Sequence, residues 1–254
     1  MTAWLIRIPM IAGVLAVATI LVVALVINLG GGEDALPRET RGQTGQADDA
    51  APTPEGAETE EVRPSPGGDV PEAEGVERRD PQDPLAVGAV DAPVMMVVFS
   101  DYQCPHCAQW NEETLPAMLE HAEAGDLRIE WRDMTFLGDG SERAALASYA
   151  AAKQDAFLEY HEQLFLDGQP RPESELSDAA LVELAEELGL DGERFAADMA
   201  SAEAASAIAE NEQLASEAGV TGTPTVVIAG EQIAGAQPVE VYEDAFEAAL
   251  GGGR

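Results

Sequence analysis

The chain has 254 residues, with 48 Asp and Glu against 13 Lys and Arg, a formal net charge of −35. That balance excludes a nucleic-acid binder, which needs clustered Lys and Arg to displace counterions from phosphate, and a basic, lipid-attracted surface. Two cysteines are too few for a disulfide-stapled scaffold, while 46% apolar residues leave ample material for a core.

Three segments follow from the uneven placement of charge. Ile8–Leu29 holds 22 residues without a charge, IPMIAGVLAVATILVVALVINL. At ~1.5 Å per residue this spans a ~30 Å hydrocarbon core, and it is apolar on every side, unlike an amphipathic surface helix. A cleaved signal usually has a shorter apolar region ending at a small-residue site, so residues 1–29 are expected to form an uncleaved transmembrane anchor. Arg7 precedes the span and the next basic residue is Arg38. That asymmetry favours a single pass with the C-terminal bulk on the extracytoplasmic side of the cell membrane.

Residues 30–84 carry 8 of the 16 prolines, 9 glycines, and 15 acids against 5 bases. Such a stretch buries too little to offset its ordering entropy and is expected to be a disordered linker. Its r.m.s. reach would be about 40 Å.

Residues 85–254 form the folded domain, with 33 acids against 7 bases. Val94–Phe99 is a short apolar run, expected as a strand buried on both faces. A helical pattern then runs through roughly Ala124, and Gly125 suits its C-cap. Leu127–Trp131 alternates apolar and polar, a second strand. From about 141 to 218 the chain is Ala-, Leu- and Glu-rich at helical spacing, with Ser177 an N-cap for a helix burying Leu181, Leu184 and Leu188. Thr225–Ala229 and Gln232–Ala234 straddle Gly230-Glu231 as a hairpin, and a closing helix runs from about Pro238 to Leu250. The order predicts an α/β fold, a central sheet covered by helices, with the all-helical stretch inserted beside it.

The chemistry lies at Cys104-Pro105-His106-Cys107. The first strand ends just before Cys104, and Pro105 suits the first helical position. Cys104 then sits at a helix N-terminus, where free N–H groups and the positive dipole end favour thiolate over thiol. A protonated His106 adds a second positive neighbour, and Cys107 lies within reach of a small disulfide ring. A stabilised thiolate makes the disulfide form an oxidant. Zinc needs four ligands, and only His121 and His161 remain to supply them. A structural disulfide across so short a loop gains little stability. Redox chemistry is the reading that remains, with no metal and no bound cofactor.

The run Phe99-Ser100-Asp101-Tyr102-Gln103-Cys104-Pro105-His106-Cys107, with Asp91-Ala92-Pro93 before it, resembles the DsbA-like thiol:disulfide oxidoreductases of bacterial envelopes. Thr223-Pro224 in Val220–Thr225 is similar to that family's cis-proline loop, and Ala151–Phe165 to its inserted helices. The resemblance implies a thioredoxin-like fold with an inserted helical subdomain, Cys104 as the attacked sulfur, Cys107 as its partner in a redox-active disulfide, and His106 as thiolate stabiliser. It also implies that Pro224 is cis and that Thr223 and Pro224 meet substrate peptide.

The resemblance further implies disulfide introduction into exported unfolded polypeptides with free thiols, and reoxidation by a membrane quinone-linked thiol oxidase. Two alternatives stay open: a reductase or isomerase of the same fold, and a non-catalytic, membrane-tethered peptide-binding module. Related proteins often bury an acid in the strand before the motif, whereas Val97, Val98 and Phe99 offer none. Asp101 and Glu130 are the nearest substitutes for a proton relay, and His161 reads as a packing residue.

Overall fold

The computed structural model describes residues 75–252. The expected anchor at 1–29 and the linker as far as residue 74 lie outside them. Among the described residues no helix is long and apolar enough to cross a membrane. In chain order the elements are β1 (Ala86–Val87), β2 (Val94–Ser100), α1 (Pro105–Glu113), α2 (Leu115–Glu123), β3 (Leu127–Asp133), α3 (Asp139–Ala152), α4 (Phe157–Leu164), β4 (Phe165–Leu166), β5 (Gln169–Pro170), α5 (Asp178–Glu187), α6 (Gly192–Met199), α7 (Ala202–Glu217), β6 (Thr225–Ile228), β7 (Glu231–Ala234) and α8 (Val239–Gly252).

The main sheet has the order β1-β3-β2-β6-β7, with β2 and β3 parallel and the other neighbours antiparallel. One face carries Val94, Met96, Val98, Leu127, Ile129 and Trp131, packed with Trp110, Met118, Tyr242 and Phe246 of α1, α2 and α8. On the other face Val97 and Phe99 pack with Met134, Ala215 and Val220. Helices α3–α6 build a separate core around Ala144, Ala147, Tyr160, Leu181 and Phe195, and Tyr102, Cys104 and Cys107 belong to that core too. The redox segment therefore lies where the sheet meets the helical block. Ser177 caps α5 through the Ala180 N–H, as its spacing predicted.

Several expectations need correction: the hairpin turns at Ala229-Gly230 rather than Gly230-Glu231, Leu188 is exposed, and β4 and β5 interrupt the stretch expected to be all helical. The helix expected from 104 to 124 is two helices meeting at Thr114. Pro116 cannot donate to the carbonyl four residues earlier and clashes with it, so the first helix ends there. The second strand extends to Asp133, and all seven of its residues are buried. Its alternation separates two buried faces, with Arg128, Glu130 and Arg132 opposite the apolar set. Finally, residues 76–84, assigned to the linker, pack on the domain. Val76 is buried, the Arg78 and Arg79 N–H groups each donate to Glu130 at 2.9 Å, and Asp83 pairs with Arg132 at 3.0 Å. Composition alone reads such a stretch as tether because its anchoring runs through backbone N–H groups.

Every Lys and Arg among the described residues lies in an ion pair with a carboxylate. The remaining acids repel one another across the surface. Raising NaCl from ~0.1 to ~1 M shortens the Debye length from ~10 to ~3 Å, so the urea midpoint of unfolding should rise with salt. A midpoint falling steadily over that range would overturn this reading of the charge.

Candidate active site

From the end of β2 the chain turns through Asp101–Gln103 into α1, and Asp101 holds the turn. Its Oδ1 accepts the Gln103 N–H at 2.8 Å and the Ser141 hydroxyl at 2.6 Å, its Oδ2 the Leu137 N–H at 3.2 Å. Its carbonyl accepts the Cys104 N–H at 3.0 Å. Cys104 is the N-cap of α1, extended at φ −87° and ψ 119°, with Pro105 at the start of the helix. Pro105 and His106 are exposed, whereas Cys104 is 7% exposed and Cys107 1%. Both sulfurs are free thiols.

The other half of the site arrives from residues more than a hundred positions later. Because β6 runs antiparallel to β2 and pairs Thr225 with Phe99, the residues just before β6 land at the end of the sheet that bears Cys104. The Thr223–Pro224 bond is cis, as the resemblance implied. The Thr223 carbonyl accepts from the Cys104 thiol at 3.2 Å, and the Thr225 hydroxyl ties the loop by donating to the Gly222 carbonyl at 2.8 Å.

The two sulfurs are driven apart electrostatically. A hydrogen bond from the Cys107 thiol lowers Cys104 to about 5, against the cost of burial. The Thr223 side chain and the N–H groups of Cys107 and His106 help. The Thr223 carbonyl acts oppositely, since it can only accept and so favours the neutral thiol; the donors outnumber it. His106 thus reaches the sulfur through its backbone, and its ring stands in solvent. Burial pushes Cys107 far up, and its bond to Cys104 holds its proton further. With its pKa lowered to about 5, Cys104 is predominantly thiolate around pH 7.

Neither expected relay acid is free for that task. The Asp101 oxygens are engaged by the turn. Glu130 is fully buried, and Arg128, Arg132 and two backbone N–H groups converge on it. Burial would raise its pKa, but those N–H groups and guanidiniums hold it below the usual range. The acid that sequence reasoning missed is Asp133. It pairs in register with Ser100, is fully buried, and is pushed up to about 8, first by burial. Extending the period-two series Leu127, Ile129, Trp131 by one step would have found it on the same face. His161, expected as a packing residue, does pack among Trp131, Phe157 and Phe165, and it also hydrogen-bonds Tyr102 and Asn111.

A sheet of this order, with a C-x-x-C helix leaving its central strand and a helical block inserted after β3, is a thioredoxin-like α/β fold. The chain belongs to the thioredoxin family, whose model matches residues 80–248. It is a DsbA-like member. It is 29% identical over 171 residues to disulfide bond formation protein D of Bacillus subtilis, covering 65% of this chain and 77% of that one. Oxidised BdbD from the same organism superposes with a TM-score of 0.60 at 28% identity, over 66% of this chain and 92% of that chain. A Salinispora tropica protein named Na(+)/H(+) antiporter NhaA 3 is 31% identical over 177 residues. Those are 69% of this chain but 26% of the antiporter, so the chain spans about a quarter of that relative's length.

Proposed function

We propose that the protein is a thiol:disulfide oxidoreductase that introduces disulfide bonds into exported polypeptides. What carries this reading is the asymmetry of the pair: Cys104 caps the N-terminus of α1, where donors lower its pKa, while Cys107 is buried and its pKa is raised. That asymmetry favours the dithiol and makes the disulfide form an oxidant.

A client thiolate attacks Cys104 of the oxidised pair. The bond between the two sulfurs breaks, the mixed disulfide forms, and Cys107 leaves and takes up a proton. A second client thiolate then attacks the client sulfur and releases Cys104 as thiolate. The client loses two electrons and two protons, and the pair gains the electrons and one proton. Asp133 suits the supply of that proton. It keeps its own at neutral pH, and it is paired in register with Ser100, whose side chain lowers the Cys107 pKa slightly against the effect of burial.

Unfolded substrate fits the surroundings of the sulfur. Phe136 and Leu137 are 48% and 55% exposed on the loop after β3, on the opposite side of β2 from Thr223. They offer apolar contact to an extended chain whose backbone meets the Thr223–Pro224 loop. The uncharged stretch at 8–29 would anchor the domain at the outer face of the membrane, near a quinone-linked thiol oxidase that reoxidises the pair. A reductase of the same fold is the second reading; a Cys104 thiolate already stable at neutral pH favours the oxidant.

The test is the pH profile of Cys104 alkylation in the reduced protein. The rate should follow a titration centred near pH 5. The sign for stability follows: a pKa lowered in the folded state stabilises the dithiol form above the ordinary thiol pKa, and the gain is lost as pH falls through 5. The reduced protein should therefore lose stability relative to the oxidised one on acidification through that window. A midpoint at the ordinary thiol value of ~8.5 would refute the oxidant.

A further inference from the structure

Residues 76–79 join the sheet to α7. The Arg78 N–H donates to Glu130 Oε2 of β3 at 2.9 Å, while the Arg78 guanidinium donates to Asn211 Oδ1 of α7 at 3.2 Å. Arg79 fixes the same stretch: its N–H donates to Glu130 Oε1 at 2.9 Å and its guanidinium to the Ala92 carbonyl at 3.1 Å. Glu130 and Asn211 are 0% and 1% exposed. An amide so buried needs a partner, because an unpaired polar group in the interior is costly. Arg78 supplies it from 133 positions away in the chain. Just before it, Val76 is 2% exposed and belongs to the small core that Phe99, Met134, Ala215 and Val220 share.

Those four neighbours lead into the site. Phe99 ends the apolar run before Cys104 and pairs in register with Thr225. Met134 follows β3, and its N–H donates to the Ser100 carbonyl at 2.7 Å. Ala215 lies on the buried face of α7, and its carbonyl accepts the Val220 N–H at 2.8 Å. Gly219 makes the turn between them at φ +72°. Only Thr221 and Gly222 then separate Val220 from Thr223, whose carbonyl takes the Cys104 thiol at 3.2 Å. Thr221 and Gly222 are exposed, so the loop takes its position from its ends, β6 on one side and Val220 on the other.

We propose that residues 76–79 are a strap that sets the Thr223–Pro224 loop against Cys104, with Val76 and Arg78 as positioning residues for thiol exchange. Val76 completes the core on which Val220 seats, and Arg78 ties α7 to β3. A polypeptide substrate, whose backbone meets that loop, feels a displacement of Thr223. A small thiol that reaches Cys104 without the loop does not. The role in exchange rests on the oxidoreductase reading; the hold on the loop does not.

Two measurements on the oxidised full chain test the strap, with Val76→Ala and Arg78→Ala. Both substitutions leave the backbone N–H bonds to Glu130 in place, and either serves if the other fails to fold. Amide hydrogen exchange at Val220 should speed up about tenfold, while Tyr242–Phe246 in α8 keeps the parent's rate. The rate constant for oxidising a dithiol peptide should fall about tenfold, and that for glutathione should stay within about twofold. Arg78→Lys, which keeps a donor for Asn211, should recover most of both changes. An unchanged Val220 rate in a folded variant overturns the strap, and so does faster exchange shared equally by α8, the mark of a merely weakened domain. Faster exchange at Val220 alone, with peptide and glutathione rates falling together or not at all, overturns the role in exchange and leaves the hold on the loop. An unaltered protein that oxidises neither thiol sinks the oxidoreductase reading, and the strap is then decided by hydrogen exchange.

Discussion

Cys104→Ser should reduce oxidation of a dithiol peptide by more than about 10³-fold, because the attacked sulfur has no substitute. Cys107 cannot take over. It is 1% exposed, and burial holds its proton on. The fold should survive the change, since serine is itself a favoured N-cap and the Asp101 contacts that shape the turn do not involve the Cys104 sulfur. Circular dichroism of the variant should therefore match the parent. Cys107→Ser should behave differently, leaving a reactive Cys104 that forms mixed disulfides but has no internal thiol to release them. A Cys104→Ser protein oxidising peptide within a few-fold of the parent would show that the chemistry lies elsewhere.

Glu130→Ala should be the most destabilising single change on the opposite face of the sheet, costing about 3–5 kcal/mol. Removing the carboxylate leaves Arg132, itself 0% exposed, with Asp83 as its remaining acid. Arg128 keeps only the carbonyls of Gly88 and Asp80. An uncompensated buried guanidinium is the expensive outcome, more so than loss of the pair's attraction. The same change removes the acceptor of the Arg78 and Arg79 N–H groups, so protease cleavage within 78–84 should speed up as the domain weakens. Glu130→Gln, which keeps one acceptor oxygen and the packing, should cost less. A urea series placing Glu130→Ala within about 1 kcal/mol of the parent would contradict the role given to this cluster.

What could be read in advance, and what could not, divides by how local the cause is. The redox motif was legible because a buried strand, a proline suited to the helix start and two cysteines follow one another within a few residues. The hairpin was legible from Gly230, which takes φ +91° beside Ala229 at +47°. Thr223 was placed near Cys104 only through family resemblance. What joins them is the antiparallel pairing of β6 with β2, a contact no short window contains. Asp133 was missed because the second strand was ended at Trp131. The docking of 76–84 was missed because a buried carboxylate collects backbone N–H groups, to which composition is blind. The break at Thr114 was in plain sight at Pro116, but the apolar spacing continued through it.

The asymmetry of the two sulfurs is tested most directly by the reduction potential of the Cys104–Cys107 pair, equilibrated with glutathione at pH 7. It should lie above about −200 mV, more oxidising than the cytosolic glutathione pool. Its slope should be about 30 mV per pH unit above pH 5, where one proton accompanies two electrons, and about 59 mV below it. A potential near the thioredoxin value of about −270 mV, with the steeper slope persisting through pH 7, would make the pair a reductant and contradict the function proposed.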